Sequence, residues 1–201
     1  MLAGVGASVV GPVVARAHPI YHHLADSARL DDASAKAMAS DWSPQFLDSH
    51  QNESLMVLSE AISPGSSKAQ VNRVIDLLLT LETANNQKAF RDAIAALDAD
   101  AMKHFGNKVV RLSAAQLDEL LSKCSAQESE HLAEHDDSAA AWKTNQKLEV
   151  QGPANVRDHF ENLKGWIVAT YYSSEEGMRE LGWTEDYYFD KPEACTQRND
   201  H

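Results

Sequence analysis

Apolar positions recur at helical spacing along most of this chain. The fullest example is AQVNRVIDLLLTLE, in which Val71, Val74, Ile75, Leu78 and Leu79 fall at i, i+3, i+4, i+7 and i+8. Leu77 and Leu81 widen that face, which predicts a central helix with neighbours on more than one side. Upstream, a helical pattern begins near His50 and stops at Ile62-Ser63-Pro64-Gly65, where Pro and Gly together end it. Downstream, Asn85-Asn86 offers caps for a helix with the stripe Phe90, Ile94, Leu97, Ala101 and Phe105, and Gly106 stands where a left-handed terminus is wanted. Ser113-Ala-Ala-Gln116 reads as a capping box, with Leu112 and Leu117 as its hydrophobic staple and Leu117, Leu120, Leu121 and Cys124 as the core stripe.

The run ESEHLAEHDD, from Glu128 to Asp137, is acidic and dissolves into a polar stretch ending at Gly152-Pro153, as a solvated helix end or insertion would. Helical spacing returns with Val156, Phe160, Leu163, Ile167 and Tyr171. Gly165 inside that helix costs ~1 kcal/mol relative to Ala, which suggests that another backbone packs close there. Ser173-Ser-Glu-Glu176 caps a last short helix closed at Gly182. No window alternates with period two for long enough to predict a strand, so the fold class is all-α: a single compact domain of about five to seven helices. The expected organisation is an export segment over residues 1–17, a polar N-terminal arm over 18–49, a helical domain over 50–190 with an acidic insertion at 128–152, and a polar tail over 191–201.

Charge narrows the functional classes. Among 201 residues, 18 Lys and Arg stand against 30 Asp and Glu, a net charge of −12 that repels phosphate backbones and disfavours nucleic acid as a partner. No apolar run approaches the ~20 residues of a membrane span. Residues Leu2 to Ala15, LAGVGASVVGPVVA, followed by Ala15-Arg-Ala17, have the apolar region and A-x-A cleavage pattern of a bacterial export signal, with cleavage after Ala17. Its basic leading region is missing, which points to a start codon inside a longer signal; the alternative is an Ala/Gly-rich arm on a cytoplasmic protein. Export would bring Cys124 and Cys195 into an oxidising compartment, leaving open whether they form a disulfide or remain two separate thiols.

Candidate chemistry is sparse. His131-x-x-x-His135, with Glu134 and Asp136 nearby, puts two imidazoles on one helical face, the spacing of a metal-ligand pair, but it lacks the H-E-x-x-H glutamate and lies in solvated surroundings. His22-His23 is a weaker candidate, and Glu128-x-x-His131 stands alone where a di-iron bundle would need pairs. Cys124 falls on an apolar stripe and reads as core, while Asp98 and Asp100 read as solvent-facing helix charges. No nucleophile elbow or phosphate loop occurs, so no catalytic or cofactor-binding residue is expected on this chain. The segment HFENLKGWIVATYYSSEEGMRELGW and the tail after it concentrate aromatics: Tyr171, Tyr172, Trp183, Tyr187, Tyr188 and Phe189. They either close the helical core or stay exposed as anchors for a large partner, since Trp and Tyr dominate interface hot spots.

Several of these elements together resemble the gluconate 2-dehydrogenase subunit 3 family, the small (gamma) subunits of membrane-associated bacterial flavin sugar dehydrogenases. The resemblance runs from about Leu55 to Trp183. It rests on Ile62-Ser-Pro64-Gly65, Val74-Ile-Asp76-Leu-Leu, Phe105-Gly106, Leu112-Ser-Ala-Ala-Gln116-x-x-x-Leu120-Leu121 and, most specifically, Phe160-x-x-Leu163 with Tyr171-Tyr-Ser-Ser174-x-x-Gly177-x-x-x-Leu181-Gly182-Trp183. It implies a non-catalytic accessory subunit in a periplasmic oxidoreductase complex acting on CH–OH groups of sugars or polyols. The large partner would be a flavin-binding catalytic subunit of the glucose-methanol-choline type holding FAD, and a cytochrome c subunit with haem often takes the electrons. The small chain would help the partner fold and carry it through the twin-arginine route. The alternative, drawn from the residues alone, is a stand-alone periplasmic metal- or ligand-binding protein.

Overall fold

The computed structural model describes residues 18–126 and 155–183. These contain eight α-helices, one 3-10 turn and no strand: α1 (Ile20–Leu24), α2 (Ser27–Ala37), α3 (Ser49–Ile62), α4 (Val71–Leu79), α5 (Ala84–Phe105), the 3-10 turn Val109–Arg111, α6 (Ala114–Ala126), α7 (Val156–Tyr172) and α8 (Glu175–Glu180). The all-α expectation therefore holds for the described residues. No described helix is long and apolar enough to cross a membrane. The export segment, the stretch 128–152 and the tail lie outside the described residues.

Packing centres on α4, which meets α2, α3 and α7, while α5 and α7 form the most extensive helix pair. Every residue of α4 except Arg73 is buried, as a helix hydrophobic on nearly all sides requires. Arg73 instead donates from Nη1 to Ala37 O at 3.1 Å, and its guanidinium lies 5.0 Å from the Trp42 ring centroid. It thus supplies positive charge to the carbonyl end of α2. Leu81, expected on the apolar face, is 57% exposed because α4 ends at Leu79 and the chain turns before reaching it.

The helix ends follow the capping chemistry written in the sequence, with one shift of a turn. Ser113 and Gln116 make both reciprocal bonds of a capping box, at 3.0 and 3.3 Å. Gly106 closes α5 at φ +70°, a left-handed conformation that suits glycine. At the other end of α5 the cap is Thr83, whose hydroxyl accepts from Asn86 N, rather than the Asn85-Asn86 pair. Ser174 caps α8. At the far end of α8, Gly182 N donates to Arg179 O and Trp183 N to Met178 O, the two bonds of a Schellman motif, so the position of Trp183 is set by the backbone.

Two short helices occupy the arm that the apolar pattern leaves polar. Ile20, Ala33, Ala37 and Leu47 from this region all join the core. Asp26 caps α2 by accepting from Arg29 N. The reason for Gly165 also differs from expectation. A Cβ there would stand 2.7 Å from His18 Nε2, so a side-chain ring, not a neighbouring backbone, fills the space. His18 lies 5.7 Å edge-on from Trp166, the largest fully buried side chain, which also meets Phe90 at 5.9 Å.

Candidate partner-binding surface

α7 divides its residues between two faces. Phe160, Leu163, Trp166, Ile167, Thr170 and Tyr171 point into the core. On the other side Gly165, Val168, Ala169 and Tyr172 join Tyr21 and Leu24 of α1 to line a groove of about 440 Å³, with Glu161 and Lys164 among its charged residues. Tyr21 is 57% exposed, a large apolar ring left without a cover. A second groove, of about 390 Å³, runs past Met38, Ala69 and Val74 to Thr170 and Glu175, and both grooves include Ser173 at the end of α7. Met38, Leu181 and Trp183 are exposed too, Trp183 by 40%. The ends of α7 and α8 are therefore rich in uncovered apolar surface, the type of patch that marks a protein contact.

The sequence-derived anchors separate on this geometry. Tyr171 is a core residue, only 4% exposed, with its hydroxyl against the Gly65 turn. Burial, with a hydrogen bond to Glu180, pushes its phenol up to about 12. Tyr172 is half-buried in the groove wall, its ring 5.1 Å edge-on from that of Tyr171. Trp183 faces solvent. Tyr187, Tyr188 and Phe189 lie outside the described residues, as do His131, His135 and Cys195. Cys124 is buried, and desolvation raises its thiol to about 11, which favours the protonated form. Because Cys195 lies outside the described residues, the pairing of the two cysteines does too.

Three acids that looked solvent-facing or unremarkable are instead fixed inside. Asp98 is buried; it accepts from Val109 N at 3.0 Å and bonds His50 Nε2, tying α5 to α3 and the 3-10 turn. Asp76 accepts from the N–H groups of Gln45, Phe46 and Leu47. Glu82, between α4 and α5, receives His23 Nε2–H at 2.8 Å on Oε1, and His22 Nε2 lies 3.2 Å from the same oxygen. Burial lowers the His23 pKa, outweighing its bond to Glu82, so the ring is neutral. For Glu82 burial acts upward, but hydrogen bonds from Asn86, His23 and Thr83 prevail and hold the carboxylate below its ordinary range. The sequence reading missed Glu82 because His23, which binds it, is 59 residues away.

The match to known families is consistent with this helical frame. No curated protein and no solved structure matches the chain. The sequence model described as Gluconate 2-dehydrogenase subunit 3 matches residues 49–187, from the start of α3 to beyond α8. With most of its length covered by that match, the chain belongs to the gluconate 2-dehydrogenase subunit 3 family.

Proposed function

We propose that this chain is the non-catalytic small subunit of a periplasmic, FAD-dependent sugar or polyol dehydrogenase complex, and that it acts by covering its large flavin subunit. The carrying observation is the exposed apolar side chains around α7 and α8, with Tyr21 and Tyr172 lining one groove and Leu181 and Trp183 uncovered at the end of α8, in a chain of a dehydrogenase-subunit family. Binding that favours the folded large subunit stabilises it by mass action, and a stabilised partner is fit for a route that exports folded proteins. The flavin, and the haem of an accompanying cytochrome c subunit, belong to the partners; this chain supplies surface and no redox group.

Co-expression with the flavin subunit tests the reading. Dehydrogenase activity in the periplasm is expected to fall sharply when this chain is omitted. A flavin subunit that arrives folded and fully active alone would overturn the escort role.

A further inference from the structure

We propose that His22, His23 and Glu82 form a binding site for a borderline divalent cation of the zinc class. Their ligand atoms lie within 4.8 Å of one another. Successive residues on a helix point about 100° apart, so two neighbouring imidazoles do not converge by default. Here the two rings lie 4.1 Å apart and both direct Nε2 at Glu82 Oε1, at 3.2 and 2.8 Å. A tetrahedral ion with bonds of about 2.0–2.2 Å spaces its ligands about 3.3 Å apart. The two imidazole-to-carboxylate separations thus need to open by no more than about half an ångström to admit one.

The surroundings support that use. Glu82 Oε2 is occupied by Asn86 Nδ2 at 2.7 Å and Thr83 N at 3.1 Å, which orients Oε1 toward the histidines. The His23 and Glu82 side chains are buried, whereas that of His22 is 55% exposed and leaves a path for the ion and a place for a water ligand. Two imidazoles and one carboxylate suit zinc, nickel or copper and not magnesium or calcium, which require oxygen sets. Among the described residues His23 Nδ1 has no partner, so a proton moved there on metal binding gains no acceptor from them. That sets the affinity about 10- to 100-fold below a fully supported site of this composition. Both histidines precede residue 49, where the family match begins, whereas Glu82 lies inside the matched span, so the site joins the N-terminal region to the matched helices.

The test is a zinc chloride titration of the full chain, stripped with EDTA and followed by calorimetry, with cobalt(II) absorption reporting the coordination. About one ion per chain is expected. His22→Ala removes an exposed ring, should keep wild-type helicity, and is expected to weaken binding at least about tenfold. The double variant His131→Ala/His135→Ala is expected to bind as wild type. No stoichiometric binding by the wild-type chain, or binding unchanged in His22→Ala, or binding lost in the double variant alone, would overturn the assignment.

Discussion

Asp76 holds the 45–47 backbone with both carboxylate oxygens, at 2.7, 3.1 and 2.8 Å, from a position with no solvent exposure. An amide cannot replace it, because Asn would aim an N–H at a backbone N–H. Asp76→Asn is expected to lower unfolding free energy by about 3 kcal/mol, read from urea denaturation. His18 and Glu60, with His23 and Glu82, contribute to the acid response. Burial lowers the His18 pKa, outweighing its bonds to Asn162, and Nδ1 accepts from Ile20 N–H, so protonation there breaks that contact. The unfolded chain then takes up the proton first as pH falls. Stability from this group is complete above pH 6.5 and is lost as pH drops through the lower folded value. Glu60 accepts from Gly65 N and Ser67 N, which lowers its pKa from 4.5; its contribution is present above that pH and disappears below it. Unfolding midpoints measured against pH should decline in both ranges, less steeply in the first for His18→Gln and in the second for Glu60→Gln. None of these acid roles was legible in the sequence. Asp98 reads as a solvated charge and nothing in the pattern marks Asp76, since the donors that justify their burial sit on loops and turns outside their helices.

Helices with a long apolar stripe or a two-residue cap signal were readable directly. The α4 stripe, the Ser113–Gln116 box and Gly106 state their roles within a few neighbouring residues. α1 and α2 did not, because α2 buries only Ala33 and Ala37, small residues that leave little hydropathy signal, and α1 spans five residues. Aromatic crowding in α7 was visible, but the division into buried Trp166 and Tyr171 against groove-lining Tyr172 follows from the helix's rotation against α5. Two glycines on this part of the structure allow a ranked test. A Cβ on Gly177 would lie 2.3 Å from the Tyr171 carbonyl oxygen, a backbone atom that cannot yield, whereas on Gly165 it meets the ring of His18, which can swing. Gly177→Ala should therefore lose about 1–3 kcal/mol by unseating α8. Gly165→Ala should lose less, since ~1 kcal/mol of regained helix propensity offsets the clash. Thermal melts of the two variants would give that order.

At the scale of the whole molecule, the apolar groove and the core share one helix, so fold and docking can be separated by choosing the face. Trp183→Ala alters an exposed position and is expected to reduce co-purification with the proposed large subunit while leaving the circular dichroism melt nearly unchanged. Trp166→Ala, by contrast, removes a fully buried indole and should cost about 3–5 kcal/mol whether or not a partner is present. Equal loss of melting temperature and co-purification in the Trp183 variant would make that ring structural. The arm formed by α1 and α2 carries a practical warning. A polypeptide trimmed to begin at residue 49 keeps the whole matched span yet discards Ile20, Ala33, Ala37 and Leu47, uncovering the flank of α4 and one side of Trp166. Such a shortened version would come out of the cell sticky or insoluble, and its clumping would be misread as the absence of a companion subunit.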